Sequence, residues 1–398
     1  MKWPVARKLK CDMISRTFRK KKFIEAIICL SAMQIAAPVS MAGEAEDADE
    51  THVRSVPVAV PDIREDETKL KVQKGDFVVV PIPISNPTFD TGLVLGAAYF
   101  YPQTEDQKKV QPASVTAAAG VYTSNESFAY GIAQQNYWND NNWRFSGVAG
   151  HVDLKLGLNT PDAAGDGATI NWLVKGDFLH ASISRRIAGK WYAGVFGRLI
   201  TMNQSFGDDV PADDTVTEPD AKSVGIGIST EYDSRDQPFN SHTGVIFEID
   251  ALFNGEAIGG SDNYQSYSSN FRSYHQLPKS IVLAWEAQAC TRSGPAPLWD
   301  ACRVDLRGFS ATDYLGRSSA SAQAEVRWQF HPKWGVVAFA GGGYVTNSFS
   351  ELRDRELIPS YGLGLRFMVL KSQGINVRVD YARSVDSDAV YLSVGEAF

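Results

Sequence analysis

The feature that most restricts this chain is a period of two that returns, segment after segment, from residue 77 to the last residue. In 389–398 the even positions Val390, Leu392, Val394 and Phe398 share one face, and Tyr391, Ser393, Gly395 and Ala397 take the other, as a pleated strand requires. In 222–233, Val224, Ile226, Ile228 and Tyr232 oppose Gly225, Gly227, Ser229 and Glu231. Ile281, Leu283 and Trp285 oppose Glu286 and Gln288, and Ile375, Val377, Val379 and Tyr381 oppose Asn376, Arg378 and Asp380. One face of each strand is oily and the other polar or charged. Strands of ten or more residues with that split fit a tilted membrane crossing, with lipid outside and a polar lumen inside.

Sixteen such segments can be counted, at 77–86, 91–101, 114–123, 127–138, 143–156, 169–185, 191–204, 222–233, 244–254, 263–276, 280–290, 319–330, 334–346, 360–370, 375–384 and 389–398. Backbone hydrogen bonding allows only helices and closed barrels to cross lipid, and no run after residue 42 is apolar enough for a helix. The fold expected is therefore an all-β, antiparallel transmembrane β-barrel of sixteen strands. An even count brings both ends of the barrel to one side. The inner turns 276–279, 331–333 and 371–374 are short, whereas the outer loops 208–220 and 348–358 are longer and acidic. That asymmetry belongs to bacterial outer-membrane barrels, with the inner link 102–112 as an exception. The lipid face implies outer-membrane lipid as a partner, and Phe398 is expected at the membrane interface on the tip of the last strand.

The start of the chain agrees. Lys2, Arg7, Lys8, Lys10, Arg16, Arg19, Lys20, Lys21 and Lys22 precede an apolar run over 23–39 and then Ser40-Met41-Ala42, the layout of a secretory leader. Residues 1–42 are read as a signal peptide, the alternative being a weak membrane anchor interrupted by Glu25, Gln34 and Pro38. The formal net charge is −7 with the basic leader included, so what remains is more acidic still, and nucleic acid is excluded as a partner. Residues 43–76 open on Gly43-Glu44-Ala45-Glu46-Asp47-Ala48-Asp49-Glu50 and read as an acidic, largely disordered periplasmic segment. The barrel domain is placed at 77–398.

The long link after the eleventh strand contains Leu306-Arg307-Gly308-Phe309. In a barrel this resembles the Arg-Gly-Phe/Tyr motif of the bacterial surface-antigen barrels, the superfamily of BamA, TamA and the two-partner secretion transporters. Glu231-Tyr232-Asp233-Ser234-Arg235-Asp236-Gln237-Pro238-Phe239-Asn240 followed by Thr243-Gly244, and Ser393-Val394-Gly395-Glu396-Ala397-Phe398, resemble the family's eighth strand with its turn and its closing signature. The resemblance implies an extracellular loop folded into the lumen, with Arg307 paired to acids on the inner wall. Arg307 has a planar, permanently charged fork, Gly308 lets the backbone turn, and Glu325 on the polar face of the twelfth strand is the expected partner. The family's acidic position on the thirteenth strand is occupied here by Gly341, which leaves the arginine to Glu325 alone or a looser hold. The family's periplasmic modules do not fit into 43–76.

Cys290 and Cys302 are the cysteines outside the leader and bracket the first half of the same loop. In an oxidising compartment a disulfide is expected, stabilising by about 2–4 kcal/mol. Two free buried thiols are the alternative. On the first strand Pro81 and Pro83 delete two backbone donors on one side. If that side faces the sixteenth strand, which ends at Phe398, closure is weak at this seam, and lateral opening is expected. If not, the prolines blunt aggregation of a free edge.

No catalytic, cofactor-binding or metal-binding constellation stands out in the sequence. Glu248, Asp250, Glu286, Glu325, Arg327, Arg366, Arg378 and Asp380 are read as a mixed-charge lumen lining. The expected function is assistance to insertion or passage of protein or lipid cargo at the bacterial outer membrane. A passive or selective solute pore is the alternative, and an outer-membrane lipid hydrolase a distant one.

Overall fold

The computed structural model describes residues 75–160, 168–207, 221–237, 240–278, 280–370, 375–385 and 387–398. Residues 1–42, read above as a signal peptide, nearly all of the acidic segment 43–76, the acidic loop 208–220 and the inner turn 371–374 lie outside them.

Among the described residues, eighteen strands follow in chain order. The first nine are β1 (Asp76–Asn86), β2 (Asp90–Phe100), β3 (Val115–Thr123), β4 (Phe128–Trp138), β5 (Trp143–Thr160), β6 (Ala168–Ala188), β7 (Trp191–Phe206), β8 (Ala221–Asp233) and β9 (Gly244–Asn254). The rest are β10 (Tyr264–Leu277), β11 (Ile281–Ser293), β12 (Cys302–Arg303), β13 (Leu315–Gly316), β14 (Ser318–His331), β15 (Trp334–Thr346), β16 (Ile358–Leu370), β17 (Ile375–Ser384) and β18 (Asp388–Val394). Sixteen of them close into one antiparallel barrel, each paired with its neighbours in sequence and β1 meeting β18. The other two, β12 and β13, form a small separate ladder inside the link between β11 and β14. A one-turn-and-a-half helix, α1 (Glu105–Val110), fills the long inner link, started by a capping box of Thr104 and Gln107.

The period-two pattern becomes the wall of the barrel. Leu95, Ile226, Val326, Leu363 and Val379 are exposed outward, while Glu325, Arg327, Arg366 and Asp380 on the opposite faces are buried inward. On β5 to β7 the pattern changes sense along the strand. The outward face of β6 carries Leu179, Ile183 and Ile187, all exposed, then Asp177 and Lys175 further out. At that level the inward faces turn apolar: Val152, Leu154, Leu156, Trp172, Val174, Ile200 and Met202 form a buried cluster with Phe89 and Trp299. The strands thus continue beyond the lipid as a domed sheet, wet outside and oily beneath. Leu179 to Ile187 spans nine residues, the length of a tilted crossing.

The last strand differs from expectation. β18 stops at Val394, so Phe398 is not the lipid-facing tip of a strand. Gly395 adopts φ +95°, a turn that glycine makes without steric cost, and 395–398 leave the ladder. Glu396 then accepts from Arg366 Nε at 2.7 Å and Asn376 Nδ2 at 2.6 Å, and the Phe398 carbonyl accepts from Arg327 Nη2 at 2.6 Å. A carboxylate two residues from the end of an oily strand would face hydrocarbon; turned inward, it meets guanidinium groups.

Candidate functional site

The extended link 294–317 runs inside the barrel. Arg307 donates to Glu325 Oε2 on β14 at 2.7 Å and to Asp380 Oδ2 on β17 at 3.1 Å. Two strands, β15 and β16, separate those carboxylates in the wall, so one side chain reaches both only through the lumen. A third bond goes to Gln323 Oε1 at 3.2 Å, and the guanidinium carbon lies 3.4 Å from the centroid of the Phe339 ring. Arg307, Glu325 and Asp380 are all buried.

The wall is shaped for this contact. Gly341 cannot carry an acid, since a Cβ there would stand 2.6 Å from Gln323 Cβ and the Ala322 carbonyl. The second carboxylate comes instead from β17. Gly362 and Gly364 on β16 leave the space taken by the Phe339 ring and the Asp380 carboxylate, which a Cβ at either position would overlap. The expectation of a looser hold, or of Glu325 alone, is therefore corrected: Asp380 shares the arginine.

The pairs extend into a network. Arg327 donates to Glu325 at 2.5 Å, Arg366 to Asp380 at 2.5 Å, and Arg378 lies 3.4 Å from Asp380. Gln323 donates to Glu286 at 2.9 Å, and Arg272 to Glu286 at 2.8 Å. Buried ion pairs of this kind specify a conformation more reliably than they add net stability.

Leu306 and Phe309 flank the arginine and pack with Val304 against Tyr314, Val345 and Ile358. Cys290 on β11 and Cys302 on β12 form a disulfide with Cα atoms 5.6 Å apart. Between them sits an anchor that the sequence reading missed. Asp300, buried in the loop, receives Arg198 Nη2 at 2.6 Å, Arg198 Nη1 at 3.2 Å, Arg292 Nη2 at 3.1 Å and Ser266 Oγ at 2.7 Å. Burial alone would raise its pKa, but the two guanidinium groups outweigh that and hold the carboxyl well below the usual carboxylate range. The adjacent Trp299 seats the same segment on the apolar dome. The signal in the sequence was a Trp-Asp pair inside a segment bounded by cysteines, which reads equally well as an ordinary turn.

The junction of β1 and β18 is unlike the others. Its register holds one pair, Ser85↔Leu392, whereas β1 and β2 pair along all of Asp76↔Phe100 to Asn86↔Asp90. Thr91, opposite Ser85 on β2, presents its carbonyl to Ser124 N at 2.7 Å on the β3 side. In an antiparallel ladder, facing residues of a pair turn their N–H and C=O groups either toward or away from each other together. Ser85, and with it Pro83 and Pro81, therefore turns its backbone toward β18. Continuing the register sets Pro83 opposite Val394, where β18 ends. The missing donors lie where pairing stops. Pro81 and Pro83 pair with the outward-facing Leu95 and Leu93, so Val78, Val80, Ile82 and Ile84 turn inward, and the lumen wall beside the seam is apolar on the β1 side.

The Omp85 superfamily domain matches residues 200–395. Among solved structures, BamA from Haemophilus ducreyi lacking POTRA domains 1–3 aligns with TM-score 0.55 at 11% identity, covering 81% of this chain and 70% of that one. CdiB from Acinetobacter baumannii aligns with TM-score 0.54 at 12% identity over 81% of this chain and 60% of that one. CdiB from Escherichia coli gives 0.52 at 10% identity over 82% and 68%. At such identities these three likenesses speak to the fold, and no curated protein sequence matches the chain. The lumen arginine, the sixteen-strand closure and the matching domain agree: the chain is an outer-membrane β-barrel that carries an Omp85 superfamily domain over residues 200–395.

Proposed function

We propose that this barrel assists insertion or translocation of protein or lipid at the outer membrane, and that cargo leaves the lumen through the β1–β18 junction. One observation carries the reading: a junction with a single register pair, Ser85↔Leu392, in a barrel whose other junctions are long ladders. Separating β1 from β18 costs few backbone hydrogen bonds, while any other junction would expose a row of unpaired groups to hydrocarbon. The inward Val78 and Val80, 42% and 40% exposed, give apolar cargo a compatible path to the opening. The Omp85 superfamily domain supports the same role. The folded link with Arg307 then acts as a plug that must shift for passage.

Oxidative closure of Ser85→Cys with Leu392→Cys tests this. The bond is expected to reproduce the outer-membrane changes that follow loss of the protein, read as protein and lipid composition, and reduction is expected to reverse them. Full function with the junction closed refutes the reading. For the solute-pore alternative the discriminating measurement is conductance: a steady, large current from the unaltered barrel supports a pore, while little current supports a plugged one.

A further inference from the structure

The seam has a second fastening that its own ladder does not supply. Midway along β18, Tyr391 Oη accepts from Gly308 N at 2.7 Å and donates to the Phe309 carbonyl at 3.3 Å. In the turn before β18, Ser387 Oγ donates to the Gly308 carbonyl at 2.7 Å. Two residues further along the link, Ala311 N donates to Thr88 Oγ1 at 2.9 Å, and Ser310 Oγ lies 3.3 Å from the same oxygen. Thr88 belongs to the turn joining β1 to β2, on the other side of the seam. Residues 308–311 thus hold both lips of the junction at once.

The segment is built to be taut. Gly308 has φ +105°, a conformation that favours glycine, and lies against the end of β17, where a Cβ would stand 3.4 Å from Ser384 N. Ser310 N donates to Asp313 Oδ2 at 2.7 Å, and Ser310 Oγ lies 3.0 Å from Thr312 Oγ1, closing a tight turn. Thr312 Oγ1 donates to the Gly157 carbonyl at 2.5 Å, tying that turn to β5. On the other lip, Asn86 Oδ1 accepts from the N–H groups of Thr88 and Phe89, each at 3.0 Å, which fixes Thr88, while Phe89 is buried in the apolar cluster with Trp299. Neither lip can withdraw without breaking bonds to the link.

We propose that residues 308–311 are a clasp across the β1–β18 seam, so that the junction opens only when the lumen link disengages. Thr88, Ser387 and Tyr391 are its positioning residues. Arg307, one residue before the clasp, is the anchor that keeps it engaged, so displacement of Arg307 from Glu325 and Asp380 unplugs the lumen and frees the seam in one movement. The proposal deepens the translocation reading by naming what gates the exit, and it rests on that reading only for its biological meaning.

The test measures the seam directly. Spin labels on Leu93→Cys of β2 and Val390→Cys of β18, both outward-facing, leave the Ser85–Leu392 pair and the clasp intact. The native cysteines that flank the loop are bonded to each other and take no label. In lipid nanodiscs the background should give one short distance. Thr88→Val or Tyr391→Phe should add a longer-distance population, raising the open-to-closed ratio about five-fold per deleted hydrogen bond, with an unfolding midpoint close to the parent's. If Tyr391→Phe does not fold, Thr88→Val, in an extracellular turn, reads the same quantity from the other lip. Unchanged distances in the folded variants overturn the clasp, even if the Ser85–Leu392 crosslink blocks function. A shifted distance combined with a harmless crosslink keeps the clasp and removes the exit reading.

Discussion

Replacing Arg307 tests the lumen anchor most sharply. In Arg307→Ala, two carboxylates lose a shared guanidinium that now sits 2.7 Å and 3.1 Å from them. Truncating one partner of a buried pair typically costs about 3–5 kcal/mol, because the other is left as a desolvated charge. Here neither carboxylate is abandoned: Glu325 keeps Arg327 at 2.5 Å and Asp380 keeps Arg366 at 2.5 Å. The expected loss is therefore at the low end, about 3 kcal/mol, including the contact with the Phe339 ring. Arg307→Lys should recover only part of this, because a single ammonium cannot fork to Glu325 and Asp380 together. Urea unfolding of the reconstituted barrel measures the loss, and planar-bilayer current reports the lumen. Current should rise in the alanine variant and rise less in the lysine one. A loss below about 1 kcal/mol, the range of an exposed pair, together with unchanged current, would refute the reasoning.

Asp300→Asn should cost about 3 kcal/mol near neutral pH by taking the carboxylate from two largely buried arginines, Arg198 and Arg292. Because the folded carboxyl is held below its usual range, its contribution is fully present above the pKa of the unfolded group, about 4, and is lost as pH falls through the lower folded value. The variant should lack that acid limb in unfolding measured against pH. Reducing the Cys290–Cys302 bond should cost about 3 kcal/mol yet leave current nearly unchanged, since Arg307 and Asp300 still hold the link. Leu363→Arg, at a position 66% exposed on the outer face, should destabilise the barrel in bilayers by about 2–4 kcal/mol. A change within about 0.5 kcal/mol, typical of a water-facing surface site, would refute the lipid exposure of that face.

Much of the scaffold was readable because period-two alternation is a local property. Val326, Trp328 and Phe330 on one face and Glu325 and Arg327 on the other announce wall and lumen without any partner strand. The sixteen segments, the motif around Arg307 and the cysteine pair were legible for that reason or as contiguous strings. Asp380 as co-holder of Arg307 was not, because sequence cannot say which lumen side chains converge across a cavity from strands not adjacent in the wall. Nor was the role of Asp300, whose partners Arg198, Ser266 and Arg292 come from three different strands. The tip at Phe398 was misjudged because Phe398 falls in step with Val390, Leu392 and Val394, whereas Glu396 between them breaks the apolar face, and the positive φ of Gly395 and the pull of Arg366 and Arg327 on the last residues turn the chain inward.

By itself, the order of residues determined that the chain must close into a barrel with one face in lipid, since local alternation and backbone hydrogen bonding admit little else in hydrocarbon. It also determined that the first strand would lack two donors, at Pro81 and Pro83. Only the tertiary structure decided that those donors are missing on the side of β18, that Asp380 shares Arg307, and that four residues of a distant link fasten both lips of the seam. Those are matters of register and of convergence across the lumen, and both are fixed by closure of the whole barrel, not by any segment of it.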